Sequence, residues 1–152
     1  MKKLVIIIIA LFILNNCGYT PIYSSKEANF YIKEISQKNK SKLNSKIINN
    51  IKRFSNQDSD NVIQLEISSN KKINTISKDK KGDPSRFNMT ISLTINILNK
   101  NNYEINKTKS FTEKFDYNNN SNKFSLKQYE KDIEDNLINK IIERSIIYLS
   151  EL

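Results

Sequence analysis

The stretch RFNMTISLTINILNK (86–100) constrains the fold more than any other part of the chain. Phe87, Met89, Ile91, Leu93, Ile95 and Ile97 alternate with Asn88, Thr90, Ser92, Thr94 and Asn96. Successive side chains of a strand point to opposite faces, so this period of two separates an apolar face from a polar one. The spacing predicts a long strand in a sheet that is covered on one side and wet on the other, as in antiparallel sheets.

The neighbouring stretches extend that sheet. NKNN (99–102) reads as a hairpin turn, and YEINKTKSFTEKFDY (103–117) returns with Tyr103, Ile105, Phe111, Phe115 and Tyr117 on one register. A two-stranded ribbon this long is expected to reach beyond a compact core. VIQLEISSNKKINTISK (62–78) reads as two short β pieces or one bent strand, with Ile63, Leu65 and Ile67 on one face and a bulge or turn at Ser69 and Asn70. NFYIKEIS (29–36) sets Phe30, Ile32 and Glu34 against Tyr31, Lys33 and Ile35, and is predicted to be a first strand.

Two segments carry helical periodicity instead. In KSKLNSKIINNIKRF (40–54), Leu43, Ile47, Ile51 and Phe54 fall on one face. In SLKQYEKDIEDNLINKIIERSIIYLSEL (125–152), Ser125 and Gln128 have capping-box spacing. Leu126, Tyr129, Ile133, Leu137, Ile141 and Tyr148 follow as a stripe, widened by Ile138, Ile142 and Leu149. Both stripes are expected to cover the sheet. The order is β-α-β-β-β-α, an α+β domain in which two helices pack on the apolar face of one mixed or antiparallel sheet.

Composition narrows the function classes. The chain has 152 residues, enough for one domain, with 25 Lys plus Arg against 16 Asp plus Glu and no His. Without His it lacks the commonest general base and metal ligand. A single Cys excludes an internal disulfide and a thiol-cluster metal site, and two Gly cannot build a phosphate-cradling loop. No catalytic activity, metal or cofactor is expected. The basic balance suits anionic partners, although Lys is also a plain solubilising residue in a chain this rich in Ile and Asn.

The N-terminal residues look like an export signal. Lys2 and Lys3 precede an apolar run from Leu4 to Leu14. A spanning helix needs about 20 apolar residues, so the run has signal-peptide proportions. The sole cysteine, Cys17, follows Leu14, Asn15 and Asn16, and Leu three residues before a cysteine resembles the bacterial lipobox. That resemblance implies cleavage before Cys17, lipidation of its thiol and acylation of the new amine. Residues 1–16 are then a signal peptide, 17–28 a lipidated tether and 29–152 the folded domain. Loss of Lys2 and Lys3 leaves +7 of the original +9 net charge. Gly18 stands where Asp would mark inner-membrane retention in some bacteria, which permits outer-membrane delivery.

Three features together carry a wider resemblance: CGYTPIY at the cysteine, DPSRFNMTISLTINI with Arg just before the alternating strand, and the Ile-rich terminal helix. The combination resembles the LPS-assembly lipoprotein (LptE) family of Gram-negative outer membranes. The resemblance implies a four-stranded sheet with two helices and a non-catalytic role. In that role the domain plugs the barrel that inserts lipopolysaccharide into the outer leaflet, supports assembly of that barrel, and contacts lipopolysaccharide. The expected location is the outer membrane, lipid-anchored on the periplasmic side.

A barrel lumen is polar, so its plug needs a hydrophilic exterior around its own core. Lipopolysaccharide carries phosphates and acidic sugars, which clustered Lys and Arg can pair. KDKKGDPSR (78–86) concentrates Lys78, Lys80, Lys81 and Arg86 in one loop. The strand order brings 118–123 to the same sheet end, so Lys114 and Lys123 join these candidates. Arg86 leads them as one of only three arginines. A second reading is a lipid-anchored periplasmic binding or adaptor module for another amphiphile or envelope protein. A third, an anchored hydrolase, would use Asp79, Asp83, Glu113 and Asp116. Nucleic-acid binding conflicts with export and lacks any recognised module.

Overall fold

The computed structural model describes residues 28–99 and 102–152. Cys17, the signal peptide and nearly all of the tether lie outside them. The element order is β1 (Tyr31–Gln37), α1 (Lys42–Lys52), β2 (Val62–Lys78), β3 (Pro84–Leu98), β4 (Ile105–Asn118) and α2 (Lys123–Ser150). The four strands form one sheet in the order β1-β2-β3-β4. β1 runs parallel to β2, as the α1 crossover between them requires, and the other pairs are antiparallel. This is the α+β architecture that the period-two and helical patterns together predict.

The apolar face of β3 is sealed. Met89, Ile91, Leu93 and Ile95 are completely buried, and across the register they meet odd-numbered residues of β2 and β4. α2 contributes Leu126, Ile133, Leu137, Ile138, Ile141, Ile142, Ile146 and Leu149 to the same core. α1 adds Ile47, Ile48 and Ile51. Ala28, assigned by the sequence to the end of the tether, is also buried in this core.

Several local expectations change. Residues 62–78 form one strand that passes straight through Ser69 and Asn70; its irregularities come later, around Ser77. Ser69 is held inside by Asn44 of α1, whose amide oxygen accepts its hydroxyl proton. Asn44 is fully buried and also donates to Asn39, so its polar groups are satisfied. In β1 a register shift between Ile32 and Glu34 breaks the simple alternation. Ile35 therefore pairs with Leu65 and packs on the core, on the same side as Ile32. Tyr103 adopts a left-handed φ of 58°, so β4 starts at Ile105 and not at Tyr103. Of the odd positions in β4 only Phe111 and Tyr117 are buried; Phe115 stays half exposed beside α2, and a register shift sets Ile105 opposite Leu98, on the other face. The long extension foreseen for a two-stranded ribbon is three-stranded, since β2 runs beside β3 to its end.

The start of α2 also differs from the capping-box expectation. Asn122, not Ser125, is the N-cap, and its side chain accepts from the amides of Phe124 and Ser125, each at 3.1 Å. Asn satisfies the orphan amides of a first turn as well as Ser does, so the helix begins three residues earlier than the Ser125 spacing suggests. Asn122→Ala is expected to cost about 1 kcal/mol of folding stability, read as a lower urea midpoint at unchanged slope. Tyr129, placed by the sequence in the buried stripe, is half exposed, with its ring edge-on to Tyr117 at 6.2 Å.

Candidate functional site

The uncovered face of the sheet is built from the even-numbered residues of β2, β3 and β4. Its side chains bond to one another across the strands. Asn96 donates to Glu66 at 2.9 Å and accepts from Thr108 at 2.8 Å. Thr94 and Ser110 share a hydroxyl contact at 3.0 Å, and Asn88 donates to Asp116 at 2.5 Å. Facing residues of neighbouring strands lie within reach of each other, so a polar row of this kind is the sheet's own register made visible. The face presents hydroxyls, amides and a few charges along its middle, with Leu98, Tyr103 and Ile105 forming an apolar patch at the end beside Gln64 and Glu66.

The basic loop caps one end of this face. The turn between β2 and β3 is shaped by Asp79, whose carboxylate accepts from the amides of Lys81 at 2.8 Å and Asp83 at 2.9 Å. Gly82 sits at φ +88°, a conformation other residues reach only with strain. Lys78, Lys80 and Lys81 are exposed around this turn. The loop after β4 is tied to it: Asn119 donates its backbone amide to Ser85 at 2.9 Å and its side-chain amide to Pro84 at 2.7 Å. Lys123, the first residue of α2, lies just beyond that tie.

The structure therefore gathers Lys78, Lys80, Lys81, Arg86 and Lys123 at one end of the sheet. Arg86 lies in β3 opposite Asn118, half exposed, with its guanidinium 3.9 Å from Asp116. At that separation and exposure the pair is worth at most about 1 kcal/mol, so the cation stays available to another anion. Lys114 stands apart from the turn, on the open face opposite Thr90. The sequence reading missed Lys72, which faces Thr90 from the other side. Lys72, Thr90 and Lys114 form one row across three strands, with the two lysines about 10 Å apart by strand spacing. Lys72 was hidden because its face depends on 62–78 being one unbroken strand.

The four carboxylates considered for hydrolysis are dispersed. Asp79 and Asp83 belong to the turn, Glu113 faces the helices and pairs with Arg144, and Asp116 lies on the open face with Asn88. Among the described residues no group of three or more His, Cys, Asp and Glu is placed to hold a metal ion. Tyr117 donates its hydroxyl to Glu130 at 2.7 Å. Burial, followed by that hydrogen bond and the Glu130 charge, pushes its ionisation above the ordinary value of 10.0, so it remains a proton donor. Among the described residues no helix is long and apolar enough to cross a membrane.

A mixed sheet with one sealed face, one largely polar face and a basic end defines a small two-layer α+β domain. Its fold is shared with bacterial lipoproteins of known structure. A minor lipoprotein of Acinetobacter baumannii superposes with a TM-score of 0.59 at 9% identity, over 82% of this chain and 92% of that one. The rare lipoprotein B of Shewanella oneidensis gives 0.53 at 12% identity, over 78% and 94%. A lipoprotein of Caulobacter crescentus gives 0.56 at 11% identity, over 79% and 88%. No curated protein matches the chain by sequence. The model of the family described as LptE: Lipopolysaccharide-assembly matches residues 28–147, and the chain belongs to that family.

Proposed function

We propose that this chain is a lipid-anchored lipoprotein of the outer membrane. Its domain occupies the lumen of the barrel that translocates lipopolysaccharide, helps that barrel assemble, and assists insertion of lipopolysaccharide into the outer leaflet. It works by binding and carries out no catalysis. The observation that carries this reading is the family match across residues 28–147.

The geometry supports it in two ways. A plug must keep its own core while offering a water-compatible surface to a polar lumen, and the sheet divides its two faces in that manner. The basic turn also lies at the end of the sheet away from the anchor. β1 starts beside Val62, at the opposite end of β2 from Lys78. The 17 residues of β2 span roughly 50 Å. A tether of residues 17–27 reaches at most about 40 Å when fully extended. Lys78, Lys80, Lys81 and Arg86 are thereby carried away from the anchored end, toward the path of an anionic glycolipid.

Arg86→Ala is expected to weaken binding of purified lipopolysaccharide about tenfold, with the thermal midpoint nearly unchanged, because a charge-assisted contact is lost at an exposed position. Lys80 and Lys81 replaced together by Ala should add to that loss. Unaltered affinity in both variants would remove the basic end from the site.

A further inference from the structure

We propose that the free edge of β4 is a docking site for an extended, acidic polypeptide segment, which adds to the sheet as a fifth strand. This inference stands on the edge itself and does not depend on the lipid anchor or on the identity of the barrel.

β4 is the last strand in the order β1-β2-β3-β4, so one of its sides has no strand neighbour among the described residues. It is 14 residues long, about twice the length of β1 at the other edge. Which backbone groups point outward follows from one hydrogen bond. The amide of Asn119 donates to Ser85 of β3 at 2.9 Å, and Arg86 faces Asn118 in the same antiparallel register. Backbone groups alternate along such a ladder. Odd residues of β4 therefore bond to β3, and Thr108, Ser110, Thr112, Lys114 and Asp116 direct their amides and carbonyls outward. All five residues are exposed. A row of unpaired donors and acceptors is a template for another strand, and strand addition to such edges is a recurring mode of peptide recognition.

The charge on this strand selects the occupant. β4 carries two acids against three lysines: Glu113 is paired with Arg144, and Asp116 accepts from Asn88 and lies 3.9 Å from Arg86. Its three lysines, Lys107, Lys109 and Lys114, have no carboxylate partner among the described residues; Lys109 only overlies the Tyr148 ring at 5.6 Å. The edge thus presents unbalanced positive charge to an incoming strand. A second copy would bring the same three cations, whereas an acidic segment would neutralise them. Beside the edge, half-exposed Phe115 and Tyr129 line a shallow cleft with Ile133 and Leu137 and with the polar α2 residues Asp132, Asn136, Lys140 and Glu143; its acids lie on the helix and not on the strand edge.

The test uses the full chain in detergent micelles and synthetic probes of about ten residues, long enough to span most of the edge. The acidic probe alternates Thr and Val with three Glu, and its twin carries Lys in place of Glu. The acidic probe is expected to bind, and the twin to bind at least about tenfold more weakly. Two N-methylated versions of the acidic probe, methylated on one or the other set of alternate amides, should separate cleanly, one losing binding and the other keeping it. Thr112→Pro removes an outward amide without touching the β3–β4 ladder, as edge positions tolerate, and should weaken the acidic probe about tenfold. The N-methyl pair leaves the protein unaltered and so decides the matter even if that variant misfolds. No binding of the acidic probe, equal binding of the Lys twin, or equal loss with both N-methyl sets would overturn the proposal. Concentration-dependent dimerisation abolished by Thr112→Pro would also overturn it, assigning the edge to a second copy.

Discussion

Cys17→Ser is expected to release the folded domain from the membrane into the soluble fraction. In the proposed mature protein the Cys17 sulfur and the new amine carry acyl chains. Each buried methylene contributes about 0.8 kcal/mol, and one chain alone holds only weakly and reversibly, whereas three hold the protein essentially permanently. Serine offers no thiol to the lipid-transfer chemistry, so all of that attachment is lost in one step. The domain itself should remain folded, because its core runs from Ala28 to Leu149. Fractionation of cells expressing the variant, with circular dichroism of the released protein, reads both parts. A variant recovered wholly in membranes would show that an uncleaved leader or a tightly held partner, rather than acylation, keeps the chain there.

The second large effect lies in the core. Leu93→Ala should cost about 3 kcal/mol of folding free energy. Leu93 is fully buried at the middle of β3, paired with Ser69 on one side and with Phe111 on the other. Removing its isobutyl group loses the transfer free energy of the buried carbons and leaves a cavity that sheet and helix can only partly close. Against a total stability of roughly 5–15 kcal/mol for a domain, a change of this size is severe. Urea unfolding should show a lower midpoint with an unchanged slope. A loss below about 1 kcal/mol would mean that α2 does not seal this face as tightly as the burial shows.

Most of this architecture is legible in the chain because it is written in local periodicity. The alternation from Phe87 to Ile97 identifies β3 and its buried side, and the apolar spacings of 43–54 and 126–149 identify the helices and the faces they turn to the sheet. What escapes is set by long-range register or by competition between equivalent residues. Ile35 joins the core only because the strand shifts register after Ile32, and nothing local marks that shift. Asn122 outcompetes Ser125 as a cap although either residue type can serve. Phe115 and Tyr129 read as core from their spacing, yet α2 leaves both half exposed. The basic end of the site was readable as a run of Lys around a turn, whereas the Lys72–Thr90–Lys114 row exists only once three strands are aligned. The charge balance of the β4 edge is equally invisible in sequence, since it depends on Arg144 of α2 reaching across to Glu113.

The proposed working place of this domain is the lumen of a lipopolysaccharide-translocating barrel. Gentle detergent extraction of membranes, followed by affinity purification through a C-terminal tag and denaturing electrophoresis with and without heating, tests that directly. The expected result is a stoichiometric partner whose mobility changes on heating, as a β-barrel's does, and which mass spectrometry identifies as the lipopolysaccharide-assembly barrel. Recovery of the tagged chain as a monomer, free of any barrel, would contradict that placement.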